Sequence, residues 1–173
     1  MRSPVRFTGL AAVVAGVMLA VPLGASAVPS EIYMNDACSP SFNDIGAGRL
    51  CERSGGTPFD VFVQQLTLNK FAGAWNFSAP QVKLNAGDSL TVENRGGETH
   101  SLTQVTQFGG GGIVAPINLI LFGTTTPPTF FFGPFNFVPA GGETTIPSST
   151  LTPGTHLFIC VIHPWMEETV SVG

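Results

Sequence analysis

Phe158-Ile-Cys-Val-Ile-His-Pro-Trp-Met166 places one of the chain's three cysteines and one of its three histidines within four positions, with a methionine three residues further on. Thiolate, imidazole and thioether are soft or borderline donors, so Cys160, His163 and Met166 together favour a soft, redox-capable metal over magnesium or calcium. One more imidazole would complete a His₂Cys set with a weak axial methionine, the arrangement in which copper cycles between Cu(I) and Cu(II). His100 is the candidate for it. It follows the strand-like run Leu90 to Asn94 and a glycine turn, a placement that can hold its ring at the end of a sheet. Sixty residues separate it from Cys160, and closing that distance costs little entropy if both lie on adjacent strands.

Taken singly, each of these residues has a plainer explanation. A free cysteine packs as a small hydrophobe, His100 and His163 could be surface residues, and Met166 could be ordinary core. Those explanations leave the joint spacing Cys-x-x-His-Pro-x-Met unexplained. Zinc is the more serious rival, since one cysteine and two histidines with an open position can hold it, but a methionine ligand selects copper. His156 stands four strand residues before Cys160, about 13 Å at about 3.3 Å per residue, and is read as a core or edge histidine outside the site.

Positioning such ligands falls to short strands. Ala79 to Leu84 reads as one, Asn85-Ala-Gly-Asp88 as a turn, and Ser89 to Asn94 as a second strand with Leu90 and Val92 facing inward. His100-Ser-Leu-Thr103, Phe135 to Val138, Glu143 to Ile146, Thr155 to Val161 and Thr169 to Val172 continue the series. Phe59 to Leu68 is rich in β-formers and alternates leakily, so it too is expected as a strand, and no segment shows a helical period of ten residues. The fold expected is an all-β sandwich. Gln107 to Pro134 breaks the rhythm with four consecutive glycines, Ile117 to Phe122 and Phe130-Phe-Phe132. A connection this long is either an extra strand or helical turn covering the sandwich, or a lid or docking element.

The N-terminus speaks to compartment. Arg2 and Arg6 precede an apolar run, Leu10 to Leu23, that ends in Ala25-Ser-Ala27: a secretory leader over residues 1–27, too short to span a membrane. Cleavage after Ala27 would leave 146 residues with five basic side chains against eleven acidic ones, a net charge of −6. Nucleic acid and, after cleavage, membrane are therefore not expected partners. In an exported chain Cys38 and Cys51, close together in a polar segment, are expected to form a disulfide that pins an N-terminal arm over residues 28–58. Cys160 then has no partner, which a metal would explain. Residues 59–173 would form the one domain, with 107–134 as its insertion.

Gly154-Thr-His-Leu-Phe-Ile-Cys-Val-Ile-His-Pro-Trp-Met166 resembles the C-terminal copper loop of the cupredoxins, the type 1 blue copper proteins, and among them most the amicyanin-like members. Ala79 through Asn94 to His100 resembles the same family's strand, Gly-Asp turn, strand and first histidine. The resemblance covers roughly residues 77–104 and 136–173. It implies a Greek-key sandwich with one type 1 copper at one end, held by His100, Cys160 and His163 with Met166 axial. Where the family commonly has asparagine after the first histidine, this chain has Ser101, so the tie between the two loops is not carried over. The resemblance implies an exported electron-transfer protein, periplasmic or extracellular, not an enzyme, and expected to be a monomer. A copper store or chaperone, or a metal-free binding module on the same fold, are the alternatives. Few methionines and only three histidines argue against storage and against multicopper enzymes. Redox partners would dock transiently near His163, its outer ring edge toward solvent, and near Trp165.

Overall fold

Short strands, several with every second residue turned inward, build two sheets. The computed structural model describes residues 30–46, 48–53, 55–78 and 81–173; the leader at 1–27 and the Ala79-Pro80 start of one expected strand lie outside them. Nine strands follow in order: β1 (Ser30–Asn35), β2 (Asn76–Phe77), β3 (Gln81–Leu84), β4 (Ser89–Asn94), β5 (His100–Val105), β6 (Asn136–Val138), β7 (Glu143–Pro147), β8 (Gly154–Ile159) and β9 (Glu167–Val172). In β4, Leu90, Val92 and Asn94 are buried and their neighbours are not, as a pleat with one face on the core requires. The Asn85–Asp88 turn closes by a hydrogen bond from Asp88 N–H to Asn85 C=O.

One sheet runs β2-β1-β4-β7 and the other β3-β9-β8-β5-β6. Ile32, Leu90 and Val92 from the first pack with Val82, Leu102, Phe158 and Val170 from the second in a single core. Full burial of each such side chain is worth about 1.5–3 kcal/mol, so the seam between the sheets dominates the fold's stability. After β5 the chain crosses to β7 in the opposite sheet and returns as β8 beside β5, the non-local return of a Greek-key sandwich. The antiparallel register Thr103↔Ile159 sets the start of β5 beside the end of β8. His100-Ser101 and Cys160-Val161 therefore meet at one end of the sandwich.

Two segments differ from expectation, and in the long insertion the helical alternative is the one formed. Phe59 to Leu68, expected as a strand, is a helix, α1 (Phe59–Asn69). Its inward set is Phe62 and Leu66, with Phe59 and Val63 beside them, a three-and-four spacing that a leaky alternation of Phe59, Val61 and Val63 had masked. Lys70 in the left-handed region ends it, its N–H donating to Leu66 C=O. Within the long insertion, Ala115–Phe122 is a second helix, α2, opened by Pro116 in its first turn and closed by left-handed Gly123. The segment before the disulfide is more than an arm. β1 lies parallel to β4 from Ser30↔Leu90 to Met34↔Asn94, and Ile32 and Met34 are fully buried. The disulfide itself, Cys38–Cys51, is formed and buried, and Cys160 is free and buried.

Candidate metal centre

His100 opens β5, and Cys160 directly follows β8. A tight loop then brings His163 back over Cys160: Cys160 C=O accepts from His163 N–H, His163 C=O from Met166 N–H, and Met166 C=O from Cys160 N–H. The result is a triangle of donor atoms. His100 Nδ1 lies 3.2 Å from His163 Nδ1, and Cys160 Sγ lies 3.7 Å from the first and 3.6 Å from the second. Metal–nitrogen and metal–sulfur bonds of about 2.0 and 2.3 Å fit inside a triangle with such edges. All three residues are at most 1% exposed. Without a metal, burial pushes the Cys160 thiol up, but hydrogen bonds and charge from His100 and His163 more than offset it and hold it well below the ordinary thiol range. The site thus favours the thiolate that a soft metal needs.

Ser101 ties the two halves together. Its N–H donates to Cys160 Sγ at 3.3 Å and its Oγ accepts the Val161 N–H at 2.9 Å. A serine here therefore makes a thiolate hydrogen bond through its backbone and a loop-to-loop bond through its side chain. Met166 is 1% exposed and anchored by the same backbone ring as Cys160 and His163.

Behind each imidazole stands a carboxylate. His100 Nε2 is 2.9 Å from Asp36 Oδ2, both side chains being essentially unexposed. Asp36 also accepts the N–H groups of Cys38 and Glu98. Burial pushes the Asp36 carboxyl up, yet hydrogen bonds from His100, Glu98, Cys38 and Gly97 outweigh it and leave the group well below the usual carboxylate range. Burial likewise lowers His100, but Asp36 and then Cys160 raise it to about 9. The contact depends on Gly96, where a Cβ would fall 2.0 Å from Asp36 Oδ2. On the other side, His163 Nε2 is 3.6 Å from Glu98 Oε2, which accepts the Trp75 Nε1–H at 2.5 Å. Burial raises the Glu98 carboxyl, with His163 opposing it.

A helical cap closes this end. Phe62 of α1, Trp75 and Trp165 surround the His163 ring at centroid distances of 6.3, 6.5 and 5.3 Å. The insertion folds over the same loop. Ile113 N–H donates to Val161 C=O, and Gly112 is so close that a Cβ would lie 2.0 Å from the Val161 oxygen. Asn118 of α2 holds Gly112 through both its N–H and its C=O.

No family model and no curated protein matches the chain. Among solved structures, a purple cupredoxin from Nitrosopumilus maritimus aligns with a TM-score of 0.46 at 13% identity, over 83% of this chain and 99% of that one. A reduced Cu(I) form of amicyanin aligns with a TM-score of 0.38 at 19% identity, over 60% of this chain and 77% of that one. Its structural neighbours are cupredoxins.

Three of the four residues read as ligands, His100, Cys160 and His163, form the one cluster among the described residues that could hold a metal ion. His156 stands apart, with Nδ1 on Gln104 and Nε2 on Thr152 C=O. The expectation of a solvent-facing His163 is overturned, because Phe62, Trp75 and Trp165 cover the ring and leave it 1% exposed. Trp165 packs on that ring and donates its Nε1–H to Trp75 C=O, so it is part of the cover. Asp36, Glu98 and Trp75 went unread in the sequence. Each reaches the site across 60 or more positions or through a side chain with no local spacing signal. A search for acids beside the disulfide cysteines raises Asp36, together with Glu52 next to Cys51.

Proposed function

We propose that the chain is an exported electron-transfer protein with one type 1 copper that His100, Cys160 and His163 would hold, with Met166 as a further, weaker ligand. Copper, when bound, supplies the one-electron Cu(I)/Cu(II) couple. The chain supplies the rest. Adjacent strands fix the donors, Ser101 N–H shares the thiolate charge, Asp36 sets the His100 tautomer so that Nδ1 is free to ligate, and the aromatic cap excludes water. The observation that carries this reading is the fully buried triangle of two imidazole nitrogens and one sulfur with edges of 3.2–3.7 Å. Storage or delivery of copper asks for exposed, exchangeable ligands. Burial of all three favours electron transfer, in which the ion stays and only the electron moves. The disulfide is in keeping with export to the periplasm or beyond, and the redox partner is expected to dock transiently over the capped end.

Loading the purified chain with Cu(II) tests this. One ion per chain and an intense visible charge-transfer band are expected, and Cys160→Ser abolishes the band. A variant that keeps its colour, or a native chain that takes up only colourless zinc when copper is plentiful, defeats the reading.

A further inference from the structure

Between α1 and α2 lies a cavity of about 290 Å³. Phe59, Phe62 and Leu66 form one wall and Ile117 and Ile120 the other, while Glu98 and His163 close the inner end. A dry cavity of about 150 Å³ already accepts benzene, so this one has room for a substituted ring. Its rim is open, with Ile45 44% exposed and Pro116 at the surface. The aromatic wall is geometrically suited to another ring: Phe42, also lining the cavity, meets Phe59 edge-on at 5.2 Å and Phe62 at a tilt at 5.3 Å.

The inner end is where the chemistry lies. Glu98 is 8% exposed in a wall that is otherwise almost wholly apolar. Its Oε2 is occupied by the Trp75 indole, whereas its Oε1 has no hydrogen-bond partner among the described residues. A ligand hydroxyl reaching Oε1 would gain one net hydrogen bond there. An apolar pocket with one converging polar group is the usual form of a small-molecule site.

We propose that this cavity binds a small aromatic molecule carrying a hydroxyl, of the simple phenol class, with its ring between α1 and α2 and its O–H donated to Glu98 Oε1. The site abuts His163 but does not require a metal in the neighbouring triangle. Its test is accordingly independent of the copper reading.

Phenol and benzene are titrated in parallel into the metal-free and Cu(I)-loaded chain, with backbone amide shifts followed by NMR. Saturable one-to-one binding is expected, with shifts centred on Phe59–Leu66 and Ile117–Ile120. Phenol should bind about fivefold more tightly than benzene, the increment of one net hydrogen bond. Ile117→Trp and, separately, Val63→Phe fill the cavity and should abolish binding while leaving amide shifts of the distant β7 and β9 in place. Absence of saturation, equal affinity for phenol and benzene, shifts centred elsewhere, or undiminished binding by a folded filled variant would each overturn the proposal.

Discussion

Asp36 decides how strongly His100 can donate. A carboxylate on the far nitrogen makes an imidazole more basic and stabilises the more highly charged metal state. Asp36→Asn keeps the size and a hydrogen bond but removes the charge. Such changes typically cost 10–100-fold in metal affinity. If that loss falls on Cu(II) alone, the reduction potential rises by about 60–120 mV, since tenfold is about 59 mV for one electron. Voltammetry of the copper-loaded variant checks this, and a potential that stays put would show that the Asp36 charge is not felt at the metal. A second buried acid has a different consequence. Glu168 on β9 is 1% exposed, its Oε2 lacks a partner, and burial raises its carboxyl to about 7 against only the Thr169 N–H. The folded chain holds this proton up to about pH 7, while the unfolded chain releases it near 4.5. Its contribution to stability is therefore complete below pH 4.5 and is lost as pH rises toward 7, by up to about 3 kcal/mol. Glu168→Gln should flatten that decline, read by urea unfolding at pH 4.5 and 7.5. Equal slopes in the two proteins would mean the acid is solvated in the folded state.

At the level of elements, the long insertion matters because it is clamped and not merely draped. Gly112 lies against the Val161 oxygen, and α2 hangs from that contact through Asn118. Gly112→Ala introduces a methyl where there is no room, on the backbone next to Cys160. Overpacking of this kind costs about 1–3 kcal/mol, and here it should also lift α2 from His163, measurable as lower thermal stability together with faster amide exchange in residues 113–122. Unchanged exchange there would show that the contact relaxes without moving the helix. The positions of the strands from β3 onward and the ligand spacing were legible because alternation and the Cys-x-x-His-Pro-x-Met loop are local patterns. α1 was not. Its Phe and Val content favours strands, and only packing of Phe62 and Leu66 against Trp75 and the core selects the helix over that propensity. α2 did carry a signal, Pro116 near the start and Gly123 just past the end, punctuation that brackets a helix eight residues long. The carboxylates behind the histidines left no trace in the sequence, since β1 and the disulfide bring Asp36 to the site from 64 positions away.

For the molecule as a whole, burying His163 moves the question of electron exit from one ring edge to the surface above it. Under the proposed electron-transfer function, electrons leaving by this histidine would cross the cap, and the outer face of that cap is apolar: Leu68 and Phe71 at the end of α1 are 72% and 51% exposed, and Leu119 and Phe122 on α2 are 52% and 39% exposed. Lys70 joins the two groups by donating its Nζ–H to Ile120 C=O. The chain is acidic overall, with a net charge of −4, so two copies repel each other at long range. A mostly apolar face whose charge here is the cationic Lys70 is where they can approach most closely. Electron self-exchange between Cu(I) and Cu(II) forms reports on that face without knowledge of any partner. Leu119→Glu with Phe122→Glu places like charges directly opposite one another in such an encounter, and should slow self-exchange about tenfold at low salt. Raising the ionic strength should recover much of the rate, because charges on an exposed rim are screened over about 8–10 Å. The visible copper band should not change, since neither side chain lines the metal site. A rate that is indifferent to the two glutamates would place the exit elsewhere on the sandwich, whereas a band that shifts with them would mean α2 has moved and the rate no longer reports on docking.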